Sequence, residues 1–322
     1  MVVNNVIHPI ARKIKSVLIG FVNVLASIYL VDRKLSEESI FQRVRSHITL
    51  VKLVKQRKRA RLKKLGMTDV TERKKSDTVF VFGSGRSVLN LTNQEWIKIG
   101  GHDTIGFSGS FQQDWVNLDY LLLRGWAETV IPDENSIVDV AKDFIGKYDE
   151  HCKRNQLRAT KLIIQEDYSA SFCGALFALG FMERHAKDGY FGFTTYRFSK
   201  SPSLCFEWGL SHGKGTLCDA INFAYLGGWK NIVLLGVDLY DSGYFFVPEG
   251  MTETWDSAAK RFVFSKRNSR GHSFGETHNT ARNGVVDLVG EWATLFNKRS
   301  GVSIWTYNPL SLMREKLPVY TF

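Results

Sequence analysis

Residues 212–244, HGKGTLCDAINFAYLGGWKNIVLLGVDLYDSGY, constrain the fold most strongly, because they run a helix directly into a buried strand. Apolar residues recur at helical spacing from Thr216 to Leu226, and Gly227-Gly228 closes the helix. Residues 232–237 are an unbroken apolar run of the kind a strand covered on both faces needs. Asp238, Tyr240, Asp241 and Tyr244 follow at the carboxyl end of that strand, the edge at which open α/β sheets bind ligands. The expected fold class is therefore α/β and Rossmann-like, with a mostly parallel sheet.

A second junction of the same kind comes earlier. Thr78 to Phe82 is apolar and β-branched and leads into Gly83-Ser84-Gly85-Arg86-Ser87. Glycines let a backbone approach a phosphate, and N–H groups at a following helix start would bind it. The loop lacks the third glycine of a dinucleotide fingerprint, and no acidic residue stands where a ribose would need one. A tight turn without a ligand is the alternative reading of this loop.

Between and beyond these segments the chain alternates. Residues 103–107, 118–123 and 161–165 read as strands, and 170–185 as a helix. Residues 189–202, rich in aromatics, glycine and serine, read as a loop on the acceptor side of a site. Residues 241–277 are long and polar, with Gly243, Gly250, Gly271 and Gly275, and read as a lid over the site. Residues 279–296 have helical character and 302–306 that of a strand, and Pro309 is expected to open a short last helix.

These segments, with Gly271-His272-Ser273, Asn279-Thr280 and the run IWTYNPLSL at 304–312, resemble the bacterial CMP-sialic acid sialyltransferases over residues 78–322. The resemblance implies a GT-A-type variant of the Rossmann-like fold. It implies a CMP-sugar as donor substrate, with no further cofactor and no metal. In that family two tyrosines after a G-x-D-x-Y strand hydrogen-bond the leaving phosphate, and a histidine in a G-H-S segment deprotonates the acceptor hydroxyl. Here Tyr240 matches the first tyrosine and Tyr244 approximates the second at a spacing shorter by two positions. His272 sits in the literal Gly-His-Ser, whereas His278 stands nearer the Asn-Thr pair that follows the family's histidine. Both stay candidates for the base, with His278 preferred for its place at a helix start.

The nucleotide side departs further from the pattern. Thr216 falls on a serine near the nucleotide and Lys214 close to an arginine position. Three nucleotide-contacting asparagines fall on Ser84, near Ser108 or Gly109, and near Arg124. None of these residues keeps the paired donor and acceptor of an amide. The donor sugar therefore stays open between a sialic-acid-like sugar and Kdo, both of them 2-keto-3-deoxy acids. Gly83, Ser84, Gly85, Arg86 and Asp238 complete the expected nucleotide set, although Asp238 is also suited to holding its own loop by hydrogen bonds. An alternative use of Asp238 and Asp241, supplemented by His278 or Glu276, is to bind a divalent ion.

The chemistry suits such residues. Breaking the bond from an ulosonic acid to CMP builds negative charge on the phosphate, which phenolic hydroxyls and a cation such as Lys214 or Arg86 would stabilise. A histidine can take the acceptor proton. The expected reaction is one inverting displacement onto a lipopolysaccharide or other surface-glycan acceptor. Two other classes stay open: a different nucleotide-dependent reaction on a related fold, such as pyrophosphoryl transfer, and a non-catalytic basic membrane adaptor.

Charge points to the location. The chain carries a formal net charge of +11, and residues 52–64, KLVKQRKRARLKK, hold eight Lys or Arg and no acid. Residues 16–31 are apolar and flanked by basic residues, but shorter than the ~20 that a spanning helix needs. Residues 1–75 thus read as a basic, amphipathic membrane-association segment and 76–322 as the catalytic domain. The alternative is a helical hairpin packed on that domain. The expected location is the cytoplasmic face of the bacterial inner membrane, with peripheral attachment to anionic lipid and no nucleic-acid partner. The four cysteines, Cys152, Cys173, Cys205 and Cys218, show no CxxC spacing, which fits a reducing compartment.

Overall fold

A computed structural model describes residues 61–124, 136–154, 160–166, 171–196, 201–240, 243–266 and 278–322. The expectations on residues 1–60, which include the apolar 16–31 run and most of the basic stretch, lie outside the described residues. Among the described residues no helix is long and apolar enough to cross a membrane.

The chain runs α1 (Met67–Thr71), β1 (Thr78–Phe82), α2 (Asn93–Gly100), β2 (Asp103–Phe107), β3 (Tyr120–Leu123), α3 (Ser136–Lys153), β4 (Lys161–Gln165), α4 (Ser171–Ala178), α5 (Phe181–His185) and β5 (Phe191–Phe193). It continues through β6 (Thr195–Tyr196), β7 (Leu210–Ser211), α6 (Thr216–Leu226), β8 (Asn231–Leu235), β9 (Met251–Asp256), β10 (Arg261–Lys266), α7 (Asn279–Arg282), α8 (Val285–Ser300) and β11 (Ser303–Thr306). Seven strands form one sheet in the order β11-β8-β1-β2-β3-β4-β5, and every pairing in it is parallel.

The pleat divides the strand side chains between two cores, because successive residues point to opposite faces. Phe80, Phe82, Leu121, Leu123, Val233 and Leu235 pack with residues of α2, α3, α4 and α5 on one face. Val79, Val81, Leu122, Ile163, Ile232 and Leu234 pack with residues of α1, α6 and α8 on the other. Both faces are thus covered, which is why the strands read as continuous apolar runs.

Several elements differ from expectation. The helix expected over 170–185 is two, broken at Gly180 with φ 70°, and that expected over 279–296 breaks at Gly284 with φ 84°. Strand β8 stops at Leu235 because Gly236 turns to φ 61°. Pro309 lies in a turn, and the last 3₁₀ helix, Leu312–Glu315, is opened by Ser311, whose side chain accepts from the Met313 N–H. Residues 189–202 are not all loop, since Phe191 and Phe193 form the edge strand β5 and are buried in the core. Within the expected lid, β9 and β10 pair as an antiparallel hairpin. Residues 61–75, grouped by their charge with the N-terminal segment, include Leu65 and Val70, both buried in the core of the sheet domain.

Candidate active site

The strand order reverses between β1 and β8, so their carboxyl-end loops leave the sheet side by side. A cleft of about 570 Å³ opens at that point, the place where parallel sheets bind ligands.

The two loops are pressed together, and that contact accounts for the glycines. A Cβ on Gly83 would lie 2.4 Å from the Gly236 carbonyl oxygen, and one on Gly85 2.4 Å from Asp238 Oδ2. The Gly83 and Gly85 N–H groups donate to the Leu235 and Gly236 carbonyls at 2.8 Å each, and the Ser87 N–H donates to Asp238 Oδ2 at 3.1 Å. These amides, expected to face a phosphate, instead hold loop to loop. The Ser84 side chain lines the cleft, is 9% exposed, and its Oγ has no hydrogen-bond partner among the described residues. The Ser87 hydroxyl is likewise without a partner among the described residues, but of the two only Ser84 lines the cleft, where a ligand could satisfy it.

Asp238 anchors its own loop. Besides the Ser87 amide, its carboxylate accepts from Asn308 Nδ2 at 2.8 Å, and its carbonyl accepts from the Leu312 N–H at 3.2 Å. Asp238 lines the cleft, but these partners take up its carboxylate in the loop-holding role that the sequence also allowed, because a buried carboxylate needs them. Asn308 also donates to the Tyr240 hydroxyl at 3.3 Å, which leaves the phenolic proton to point elsewhere. Sequence reasoning missed Asn308, 68 positions from Tyr240. The Asn-Pro pair just after a strand end was the available signal.

Tyr240, Tyr244, Thr216, Arg124 and His278 all line the same cleft. The Tyr244 ring is 44% exposed and stacks on Phe246 at 5.5 Å, and its backbone bridges Gly85. Two expected cations are not on the cleft wall: Arg86 donates to the Val247 carbonyl at 3.3 Å, and Lys214 sits in the turn before α6. Ser108 opens the 3₁₀ turn Ser108–Gln112, of which Gly109 and Gln112 line the cleft. His272, Asp241 and Glu276 lie outside the described residues. Among the described residues no three His, Cys, Asp or Glu side chains converge as metal ligands.

His278 adjoins the start of α7. Its N–H donates to the Leu239 carbonyl at 2.8 Å, and its Nδ1 accepts from the Thr280 N–H at 3.2 Å. The ring proton therefore sits on Nε2 in this arrangement, which makes Nε2 a donor. To act as the expected base, His278 must release Thr280, so that Nδ1 itself can take a proton or the ring proton can pass to Nδ1 and free Nε2.

The hairpin forms one wall. Met251, Thr252, Glu253 and Phe262 line the cleft, and Lys147 of α3 holds the hairpin through Glu253 at 2.9 Å while also pairing with Asp143 at 3.1 Å. Burial works to lower the Lys147 pKa, but its hydrogen bond to Glu253 and the charges of Glu253 and Asp143 outweigh this and leave it raised. Sequence reasoning also missed His212 and Asp219. His212 Nδ1 lies 2.8 Å from Asp219 Oδ2, and its Nε2 lies 2.6 Å from Arg124 Nη1. The visible signal was an aspartate within a largely apolar helix. Next to Asp219, the Cys218 thiol is pushed up to about 12 by burial and packs as a protonated, apolar group.

No family model matches this chain, and no curated protein matches it. Among solved structures it is similar to the monofunctional α-2,3-sialyltransferase Cst-I of Campylobacter jejuni, at 12% identity over 76% of this chain and 81% of that one, with a TM-score of 0.39. It is also similar to the C. jejuni sialyltransferase CstII in complex with CMP-3FNeuAc, at 15% identity over 76% and 86%, with a TM-score of 0.41. A third similar structure is the MAf glycosyltransferase of Magnetospirillum magneticum AMB-1, at 13% identity over 71% of this chain and 31% of that one, with a TM-score of 0.36. The chain is thus distantly similar to bacterial glycosyltransferases of known structure.

Proposed function

We propose that the cleft binds a CMP-activated ulosonic acid, sialic-acid-like or Kdo, and transfers the sugar to a hydroxyl of a lipopolysaccharide or other surface glycan. The observation that carries this reading is the convergence of Tyr240, Tyr244, Thr216, Arg124 and His278 on one cleft at the switch point of a parallel sheet. Ulosonic transfer places charge where such groups stand. As the bond from the anomeric carbon to the phosphate oxygen breaks, the phosphate keeps the electron pair, and the Tyr240 and Tyr244 hydroxyls donate to it. The acceptor oxygen forms its bond from the opposite face, giving inversion, and its proton passes to a histidine. His272 and His278 are the candidates, and His278 reaches that role only by releasing the Thr280 amide. The leaving phosphate is stabilised by hydroxyls and fixed cations, without a metal ion.

The basic 52–64 run and the apolar 16–31 run support peripheral attachment at the cytoplasmic face of the bacterial inner membrane, where a lipid-linked acceptor would be met. Calorimetry tests the donor reading: cytidine nucleotides should bind more tightly than uridine or purine nucleotides, and CMP should be released from a CMP-sugar in the presence of EDTA. Equal binding of all bases refutes the donor assignment, and activity lost to EDTA and restored by magnesium refutes metal independence.

A further inference from the structure

A chain of three polar side chains runs from the buried interior to the cleft wall. Asp219 stands in the first turn of α6 and is fully buried, at 0% exposure. A buried carboxylate persists only when hydrogen-bonded or paired, and here it meets His212 at 2.8 Å, with Arg124 Nε at 4.0 Å. Arg124 Nη1 can only donate, so His212 Nε2 accepts from it at 2.6 Å and the Nδ1–H donates to Asp219. The histidine is therefore fixed at both ring nitrogens. Its side chain is 18% exposed and that of Arg124 is 17% exposed, and of the three side chains only Arg124 lines the cleft. The negative charge stays behind the wall and the guanidinium stands in it.

The other charged side chains of the wall are held by groups within the protein. Asp143 and Glu253 pair with Lys147, and Asp238 is held by Asn308 and the Ser87 amide. A guanidinium is a planar fork suited to two oxygens of one oxyanion, and a fixed fork loses less freedom on binding than a mobile one. Asp219 and His212 supply that fixing.

We propose that Arg124 is the oxyanion contact of this cleft, and that His212 and Asp219 are positioning residues that hold its fork. The inference rests on the nucleotide-sugar reading above and deepens it by assigning the recognition of a carboxylate or phosphate group to Arg124.

The test is calorimetry on the full chain with three probes: CMP, which offers only a phosphate; free N-acetylneuraminate, which offers only a carboxylate; and CMP-N-acetylneuraminate, which offers both. Arg124→Gln should weaken CMP-N-acetylneuraminate by about 10- to 100-fold, the size of a charge-assisted hydrogen bond. Loss confined to the two sugar probes assigns the contact to the carboxylate, and loss shared by CMP and CMP-N-acetylneuraminate but not by free N-acetylneuraminate assigns it to the phosphate. Arg124→Lys should recover only part of the loss, because a point charge does not replace a fork. His212→Phe should weaken the same probe in the intact protein and add little in the Arg124→Gln background, because a residue that acts through Arg124 is coupled to it. Should His212→Phe not fold, His212→Gln completes the cycle. Independent, additive losses overturn the positioning role, and undiminished binding by Arg124→Gln overturns the inference while leaving the proposed function standing. Binding of AMP or GMP in place of CMP, lost in Arg124→Gln, overturns the cytidine reading and keeps the inference. An intact protein that binds none of these probes overturns both.

Discussion

At the scale of single residues, the two tyrosines and His278 occupy the same cleft with different constraints. Tyr240 receives a hydrogen bond from Asn308 and so presents its own proton, whereas Tyr244 is half-exposed and held by stacking on Phe246. Tyr240→Phe should lower turnover by about 10²-fold, the loss seen when one preorganised donor to a developing anion is removed. Tyr244→Phe should cost less, because Tyr244 is 44% exposed and a donor in contact with water stabilises a developing anion less than one in a water-excluded site. Rates of CMP release compare the two, and a larger loss at Tyr244 would reverse this order. For His278 the Thr280 amide occupies Nδ1 and leaves the proton on Nε2. Glutamine can offer a donor near the position of Nε2 but cannot act as a base. We therefore expect His278→Ala to lose activity and His278→Gln to regain most of it. Failure of glutamine to restore turnover, together with loss of the acidic limb of the pH profile near the ordinary imidazole pKa of about 6.5, would mark His278 as the base.

At the scale of elements, the hairpin β9–β10 closes one side of the cleft and is held to α3 by the Lys147 ammonium, which lies 5.4 Å from the Phe262 ring centre. Lys147→Met should leave the sheet intact but speed hydrogen exchange of the hairpin amides, because local opening is governed by local contacts. Exchange at an unchanged rate in the hairpin would mean that Lys147 does not hold it. The pH dependence has a definite sign. The folded Lys147 pKa is raised above 10.5, so the latch contributes fully below 10.5 and is lost as pH rises through the folded value. Glu95 behaves oppositely. The Tyr307 hydroxyl, followed by the Thr92 amide and hydroxyl, holds its carboxyl below the ordinary 4.5. Its stabilising contribution to the start of α2 is present above 4.5 and disappears as pH falls through the lowered value. Thermal melts of Glu95→Gln and the parent chain should therefore converge in acid and separate near neutral pH.

At the scale of the whole molecule, the core takes in the segment that precedes the first strand. Val70, fully buried, seats residues 61–75 in the same core as β1 and α8. Val70→Ala should cost about 2 kcal/mol, two methylenes plus a cavity, read by urea unfolding of the full chain. An unchanged midpoint would return 61–75 to a separate N-terminal segment. Sequence by itself determined the parallel architecture. Strands β1, β2 and β4 and helix α6 fall where their apolar runs, glycines and helical spacing put them, because those patterns report burial on one or both faces of a single element. It also nominated the strand-end loops, since carboxyl ends of parallel strands form binding edges whatever side chains they carry. Only the tertiary structure decided what each loop residue does. Gly83 and Gly85 are glycine because another loop lies against them, and Asp238 belongs to the fold because Asn308 and Ser87 meet it there. Arg124 is fixed by His212, 88 positions away in the chain. Each of these assignments depends on which groups from remote segments come within hydrogen-bond or contact distance, a quantity that local periodicity does not encode.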